Sequence, residues 1–337
     1  MKKLIVGMIL LSAVALGLYA FKTTRGPSET LACEDFSEHA QALHRGMVWV
    51  PAGSFAMGDS VYPEEKKSKV IHVKGFWMDQ TEVTNAQFMA FVKATGYVTV
   101  AEREVDKVKH PHLPSDMYQA GALVFFQPKS QTVGNDPNQW WRYQPGANWL
   151  HPGGPGTSIN GREAFPVVGL TLEDAKAYAL WKGNEMPTEA QWEWAARGAE
   201  QQLPQLHEQP KDVNTWQGVF PVVNSRDDGF IGVAPVGCYA PNKLGLYDMI
   251  GNVWELTSDI FVQDRSAGLN SEPDQAPLNI TGSEATLRVI KGGSFLCSSD
   301  YCMRYRTGSR QPQEEDLGAS HLGFRTVRGA PGPSLLP

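Results

Sequence analysis

Two cysteines, Cys297 and Cys302, stand five positions apart in KGGSFLCSSDYCMRYR, behind Gly292 and Gly293 and ahead of Arg304, Arg306 and Arg310. On a regular strand that offset sends the side chains to opposite faces. On a helix it leaves them about 140° apart. The sulfurs converge only where Ser298-Ser299-Asp300 turns the chain, and these are turn-forming residues. A converged pair admits a structural disulfide, a redox-active dithiol or a two-thiolate metal site. Zinc asks for four ligands, and no second closely spaced cysteine pair or paired histidines accompany this one. Two soft thiolates suit Cu(I) better, and the arginines that follow favour the thiolate forms. Spacing alone leaves the three chemistries open.

Two oxygen-rich stretches could do a different kind of work. NTWQGVFPVVNSRDDGF (214–230) combines Asn214, Asp227 and Asp228 with glycine-permitted turns, and DMIGNVWE (248–255) sets Asp248 and Glu255 around a glycine turn. Calcium takes six to eight oxygens, backbone carbonyls included, from such irregular loops. Neither stretch has EF-hand spacing, so solvated turn carboxylates remain the competing reading.

The elements that must position these residues are only partly regular. In 337 residues, 33 glycines and 23 prolines exceed average usage, and with ten tryptophans they imply a loop-rich fold with wide aromatic anchors. MVWVPAGSFAMGD (47–59) reads as strand and turn, and IHVKGFWMDQTEVT (71–84) alternates like a half-buried strand. Three helices carry their own start signals: after Thr84 up to Gly96, from Thr171 to Gly183, and after Thr188 with Gln191 three residues on. From 100 to 165 no periodicity is evident, and NQWWRYQPGANWLHPGGPGTSI reads as an ordered, aromatic-rich loop suited to a pocket wall. A net charge of −6 without a long basic run argues against a nucleic-acid partner.

The N-terminus is separate. After Met1-Lys2-Lys3, Leu4 to Phe21 runs apolar with only Ser12 interrupting, close to the roughly 20 residues that span a bilayer. We expect an N-terminal signal or membrane anchor over 1–21, a linker over 22–45, one domain over 46–328 and a flexible tail over 329–337. The anchor is read as uncleaved, with a cleaved signal or lipidation at Cys33 as alternatives. Each of these exports the domain, to the periplasm or the outward face of the membrane. Four cysteines are too few for a disulfide scaffold, and Cys238 reads as a small buried residue.

Several stretches together carry a resemblance: VPAGSFAMGD, DQTEVTNAQFMAFVKATGY, ANWLHPGGP, FPVVGLTLEDAKAYALW, MPTEAQWEWAARG, LGLYDMIGNVWELTSD, RVIKGGSFLCSSDYCMRYR and SHLGFR. From about Met47 to Arg328 the chain resembles the formylglycine-generating enzyme, or sulfatase-modifying factor, family, and the cysteine pair resembles the signature of its copper-dependent branch. The resemblance implies an α+β, C-type-lectin-like domain with little regular secondary structure. It implies an oxidase that uses O2, with a thiol reductant, to convert the cysteine of a C-x-P-x-R segment in an unfolded sulfatase to Cα-formylglycine. Carried over, Cys297 and Cys302 would hold Cu(I), with Ser294, Trp254 and Arg304 beside it. Two structural calcium ions would lie at Asn214, Thr215, Asp228 and Phe230, and at Asp248, Gly251, Val253 and Glu255. Thr215, Phe230, Gly251 and Val253 would contribute backbone carbonyls. A monomer is expected.

The sequence departs from the family at three places. Ala179 with Thr326, and Ala196 with Thr307, occupy the positions of two disulfides in animal relatives, so both partners of each are absent together. His321 falls at a pocket asparagine, and Ser298 stands where some relatives carry histidine. Two other functions compete. A non-catalytic binding or scaffold member would carry a permanent Cys297–Cys302 disulfide. An iron-dependent oxidase would need a facial histidine set, and His72, His110, His112, His151 and His207 show no such spacing.

Overall fold

The computed structural model describes Cys33 and residues 46–108, 110–128, 136–201, 209–264 and 286–329. The apolar segment 1–21, the linker 22–45 apart from Cys33, His207 and the tail beyond 329 lie outside the described residues. Among the described residues no helix is long and apolar enough to cross a membrane.

The chain opens with strands β1 (Met47–Val50) and β2 (Gly53–Ala56), then β3 (Val70–Val73) and β4 (Phe76–Asp79). The stretch expected as one strand over 71–84 is therefore two, broken at Lys74-Gly75. Its halves pair differently, β3 with β2 and β4 with β1, so one continuous strand could not satisfy both registers.

Helix α1 (Asn85–Thr95) begins at Thr84, whose hydroxyl accepts the Gln87 N–H while the Gln87 side chain returns to the Thr84 N–H. Gly96 ends it in the left-handed conformation. Helix α2 (Leu172–Lys182) repeats the plan with Thr171, Asp174 and Gly183, and α3 (Glu189–Ala196) starts at the Thr188–Gln191 box. Each reciprocal box satisfies amide donors that the first helical turn leaves unpaired. The three expected helices are present.

Between α1 and α2 the expected loop contains an antiparallel hairpin, β5 (Gly121–Phe125) with β6 (Trp141–Pro145). Neither strand buries alternate residues cleanly, so no period of two marks it in the sequence. Strands β7 (Gly218–Val219) and β8 (Val223–Asn224) form a short hairpin. The central sheet has the order β11-β10-β9-β12, from β9 (Trp254–Ile260), β10 (Leu287–Lys291), β11 (Gln311–Glu314) and β12 (Leu322–Gly323). A second sheet, β1-β4-β13, closes with β13 (Val327–Gly329), so Gly329 belongs to the domain and not to the tail.

Two apolar clusters sit on these sheets. One gathers Phe88, Phe91, Trp149, Tyr178, Trp254 and Phe324 and includes both Cys297 and Cys302. The other packs Trp192 and Trp194 of α3 against β1 and β4. Buried side chains of this size contribute roughly 1.5–3 kcal/mol each, which fixes the long loops that β9 and β10 carry at their ends. Thr326, at one vacant family disulfide position, instead bonds Asp79 and Asn184. The α+β, loop-rich architecture expected from the sequence is the observed one.

Candidate functional site

The end of β10 delivers the cysteine turn. Gly293 sits at φ 76°, and a Cβ there would lie 2.8 Å from the Arg304 carbonyl oxygen, so only glycine lets the two backbones approach. Beyond it the chain curls: the Cys297 N–H donates to the Ser294 carbonyl (2.9 Å) and the Cys302 N–H to the Ser298 carbonyl (3.0 Å). Ser298 also donates its hydroxyl to Asp300 (2.5 Å). These turns bring the two sulfurs to 3.0 Å, hydrogen-bonded and not joined. A disulfide bond would require about 2.05 Å.

The pair is buried but not equally, Cys297 at 1% exposure and Cys302 at 8%. Burial pushes the Cys297 thiol up, reinforced by its hydrogen bond to Cys302 and the charge there. Donation from Cys297 draws Cys302 down to about 7, helped by the Arg304 guanidinium against the opposing effect of burial. The two sulfurs are therefore unequal, Cys302 the more readily ionised and Cys297 the one that burial keeps protonated.

The remaining expected residues surround the pair. Ser294 is fully buried and accepts the Leu296 N–H on its hydroxyl. Trp254 is buried in the cluster that contains both cysteines, and its N–H donates to the His321 carbonyl. Arg304 pairs with Glu64 and stacks 4.1 Å from the Tyr62 ring centre, while its buried Nε has no hydrogen-bond partner. Burial holds His321 down to about 3, so it is a neutral imidazole, edge-on to Trp141 with an unpartnered Nδ1. At the rim, half-exposed Tyr301 stacks on Phe220 (4.2 Å, 13°) with Trp140 edge-on beside it. Sequence reading placed no role on this aromatic shelf. Its members are brought together from positions far apart in the chain.

The two oxygen-rich stretches lie directly behind the turn. The Trp216 N–H donates to the Cys297 carbonyl (2.9 Å), the Phe295 N–H to Asn252, and the Gly251 N–H to the Gly292 carbonyl. In the first stretch, Asp228 accepts the N–H groups of Thr215 and Phe230, each at 3.1 Å, and burial raises its pKa. The Asn214 amide donates to Gly232 and Asn252 (3.0 Å each), which leaves its carbonyl oxygen as an acceptor. In the second, Gly251 is at φ 81° with the Asn214 carbonyl oxygen 2.3 Å from where a Cβ would stand. This contact locks the two stretches together.

The second stretch contains a charge problem. Glu255 is clamped in a bidentate pair by Arg325 (2.7 Å twice) and takes the Trp192 indole N–H, so most of its acceptor capacity is engaged. Asp248 accepts the Gly237 N–H at 2.7 Å, and burial lifts it to about 6. Glu82, fully buried two residues before the Thr84 cap of α1, was given no role from the sequence. Its Oε1 accepts from Asn252, its Oε2 has no partner, and burial followed by the Asp248 charge raises its pKa well above the ordinary range. Three buried carboxylates thus share one guanidinium. Oxygen donors of this kind suit a hard divalent cation such as calcium, with the Gly251 and Val253 carbonyls needed to complete a set. The first stretch fits through Asp228 and the Asn214 oxygen. The sulfur pair fits a soft monovalent metal. Among the described residues no cluster of three or more histidine, cysteine or acidic side chains is arranged to hold a metal by those groups alone.

One sequence expectation is corrected. Cys238 is not merely a small buried residue: it is disulfide-bonded to Cys33 across a sequence separation of 205. No local spacing could announce such a partner.

Comparison with known proteins places the chain in a family. Residues 32–330 match the sulfatase-modifying factor enzyme 1-like domain. The chain is similar to the formylglycine-generating enzyme of Mycobacterium tuberculosis, with 42% identity over 83% of this chain and 97% of that protein. It is also similar to the inactive C-alpha-formylglycine-generating enzyme 2 of Bos taurus, with 34% identity over 85% of this chain and 89% of that one. Among solved structures, PvdO from Pseudomonas aeruginosa superposes with a TM-score of 0.53 at 24% identity, covering 84% and 94% of the two chains.

Proposed function

The chain belongs to the sulfatase-modifying factor enzyme 1-like family, and from that premise we propose that it is a formylglycine-generating oxidase. In this reading it takes an unfolded sulfatase segment bearing C-x-P-x-R and oxidises the cysteine Cβ to an aldehyde, breaking its Cβ–S and one Cβ–H bond. One oxygen atom of O2 becomes the aldehyde oxygen and the other leaves as water, the sulfur leaves as hydrogen sulfide, and two reductant thiols close to a disulfide. The observation that supports it most is the reduced, buried Cys297–Cys302 pair with sulfurs 3.0 Å apart. The competing reading, a non-catalytic scaffold, calls for those sulfurs to be bonded.

Cu(I) held between the two thiolates would supply the soft centre at which oxygen is activated. The chain's own residues do the rest. Cys302, the more exposed sulfur and the one carried to lower pKa, faces the incoming thiol. Arg304 sits beside it and favours its charged form, with Glu64 and Tyr62 fixing the guanidinium plane. Trp254 and Ser294, both buried, wall the pair off from water. The Tyr301–Phe220–Trp140 shelf offers a flat apolar face for the proline two residues beyond the guest cysteine. A cavity of about 310 Å³ lined by Phe125, Phe295, Ile231 and Arg162 extends from the same aromatic cluster. Calcium at the two oxygen-rich stretches would stiffen the loops that hydrogen-bond the cysteine turn. We place the enzyme outside the cytoplasm as a monomer tethered by its N-terminal segment, a location that suits the Cys33–Cys238 bond.

The test is mass spectrometry of a C-x-P-x-R peptide incubated with the full chain, Cu(I), reductant and O2. Loss of sulfur with appearance of a hydroxylamine-reactive aldehyde is expected. An unchanged peptide, together with no stoichiometric Cu(I) uptake in an anaerobic titration, would return the chain to the scaffold reading.

A further inference from the structure

Strands β1 to β4 make one two-stranded ribbon, β1 paired with β4 and β2 with β3, bent at Pro51-Ala52 and Lys74-Gly75. Its inner face buries Val50, Phe55, Val73, Phe76 and Met78 in the second apolar cluster. Its outer face stays exposed, Trp49 at 41% and Val70 at 70%. Trp49 stands opposite Trp77 in the register, with ring centres 5.3 Å apart, and its ring lies over Gly75, where a Cβ would be 2.5 Å away. Lys66, Lys67 and Lys69 lead into β3, and Lys74 stands at the bend. All four are exposed, and none has an ion-pair partner among the described residues. The acids of the same loop do not offset them: Glu64 and Glu65 are buried and paired with Arg304 and Arg306, and Asp59 also pairs with Arg306. Indole rings favour a membrane–water interface, and lysines are drawn to anionic headgroups. The outer face combines both.

The rest of the chain brings a bilayer within reach. Eleven residues, 22–32, separate the apolar segment ending at Phe21 from Cys33, which is bonded to Cys238. Fully extended, they span about 40 Å. A domain held on so short a tether meets the surface at high effective concentration, so a weakly binding face suffices. We propose that the outer face of the ribbon, Trp49 and Trp77 flanked by Lys66, Lys67, Lys69 and Lys74, docks on a bilayer surface carrying anionic lipid headgroups. The inference rests on the tethered reading given above. The loop that bears the first three lysines also carries Tyr62 and Glu64 to Arg304. Docking therefore fixes which way the cysteine turn faces relative to the membrane that its guest has crossed.

The experiment is fluorescence quenching of the full chain in vesicles of brominated phosphatidylcholine with phosphatidylglycerol. The apolar segment holds none of the ten tryptophans, so any quenching reports the domain. The expected result is a loss of about one fifth of the emission, the share of two tryptophans in ten. The loss should shrink in vesicles without phosphatidylglycerol, and in about 1 M salt, where screening acts within about 3 Å. Trp49→Ser with Trp77→Ser should abolish it. Replacing the four lysines by glutamine should diminish it with both indoles in place, which keeps the test valid where the double tryptophan variant fails to fold. Trp181→Phe, at the other exposed tryptophan, should leave it unchanged. No quenching of the wild type, quenching that survives the double variant, or quenching lost with Trp181 overturns the docking. So does quenching that neither salt nor the lysine variant moves. Flotation of the vesicles after an alkaline carbonate wash reads the tether separately. A chain that floats unquenched keeps the tether and loses the docking, whereas a chain released by carbonate overturns the tethered reading, and its docking is then judged on quenching by added vesicles.

Discussion

The chain holds two cysteine pairs in opposite chemical states. Cys297 and Cys302 are five residues apart, buried and unbonded, their sulfurs set by local turns at Ser294 and Ser298. Cys33 and Cys238 are 205 apart and bonded, with no shared local geometry. The first pair is organised by backbone that the rest of the domain braces, and it can offer two thiolates to a ligand. The second removes conformational freedom from the unfolded chain and has no thiolate to offer. Closeness of two sulfurs therefore does not decide function here. What decides it is whether the surrounding backbone holds them as donors or leaves them to bond.

Breaking each pair should give opposite phenotypes. Cys302→Ser, or Cys297→Ser, is expected to abolish peptide conversion and stoichiometric Cu(I) uptake while the urea midpoint shifts little, read by mass spectrometry and equilibrium unfolding. Cys33→Ser is expected to do the reverse. It should lower stability by about 2–4 kcal/mol, as for loss of a disulfide that closes a long loop, yet retain Cu(I) uptake. A Cys33→Ser protein as stable as the wild type would erase the contrast between the pairs.

The regions that house the two pairs also differ in pH response. Near the unbonded pair, burial holds His321 down to about 3. Its share of stability is present above the usual histidine value and lost as pH falls from about 6.5 to 3. Near the bonded pair, burial lifts Asp248 to about 6. Its share is present below the usual aspartate value and lost as pH rises through about 6. With chelator present, His321→Asn should flatten the acid-side slope of the urea midpoint, and Asp248→Asn the slope between about pH 4 and 6. Each effect should be on the order of 1–3 kcal/mol across its window. Added calcium should remove the Asp248 effect and leave the His321 effect, because only the former carboxylate faces the proposed cation.

How much of this was legible follows from how local each feature is. The three helices were readable because Thr84 with Gln87, Thr171 with Asp174 and Thr188 with Gln191 state their starts within four residues. The convergence of Cys297 and Cys302 was readable as a condition on Ser298-Ser299-Asp300, and the turn meets it. The β5–β6 hairpin was not, since its buried residues follow tertiary neighbours and not alternation. The Cys33–Cys238 bond and the role of Glu82 were hidden for a related reason. Each depends on a partner more than a hundred residues away, Cys238 for one and Asp248 and Asn252 for the other.

The smallest expected effect serves as a control on both pairs. The Thr188 hydroxyl caps α3 by accepting the Gln191 N–H at 3.1 Å at an exposed helix start. Thr188→Ala leaves that donor to water and should cost about 1 kcal/mol. The helix it starts carries Glu193, whose bond to Lys291 (2.9 Å) anchors the last residue of β10, just before the Gly292–Gly293 turn and the cysteines. If α3 holds that turn through packing of Trp192 and the Lys291 pair, a loss at its first turn should spread no further. Cu(I) uptake and the dithiothreitol equilibrium of Cys33–Cys238 should then match the wild type while the urea midpoint falls. A shift in Cu(I) affinity comparable to the stability loss would mean that the thiol pair is set by the global balance of the fold, and not by the turns immediately around it.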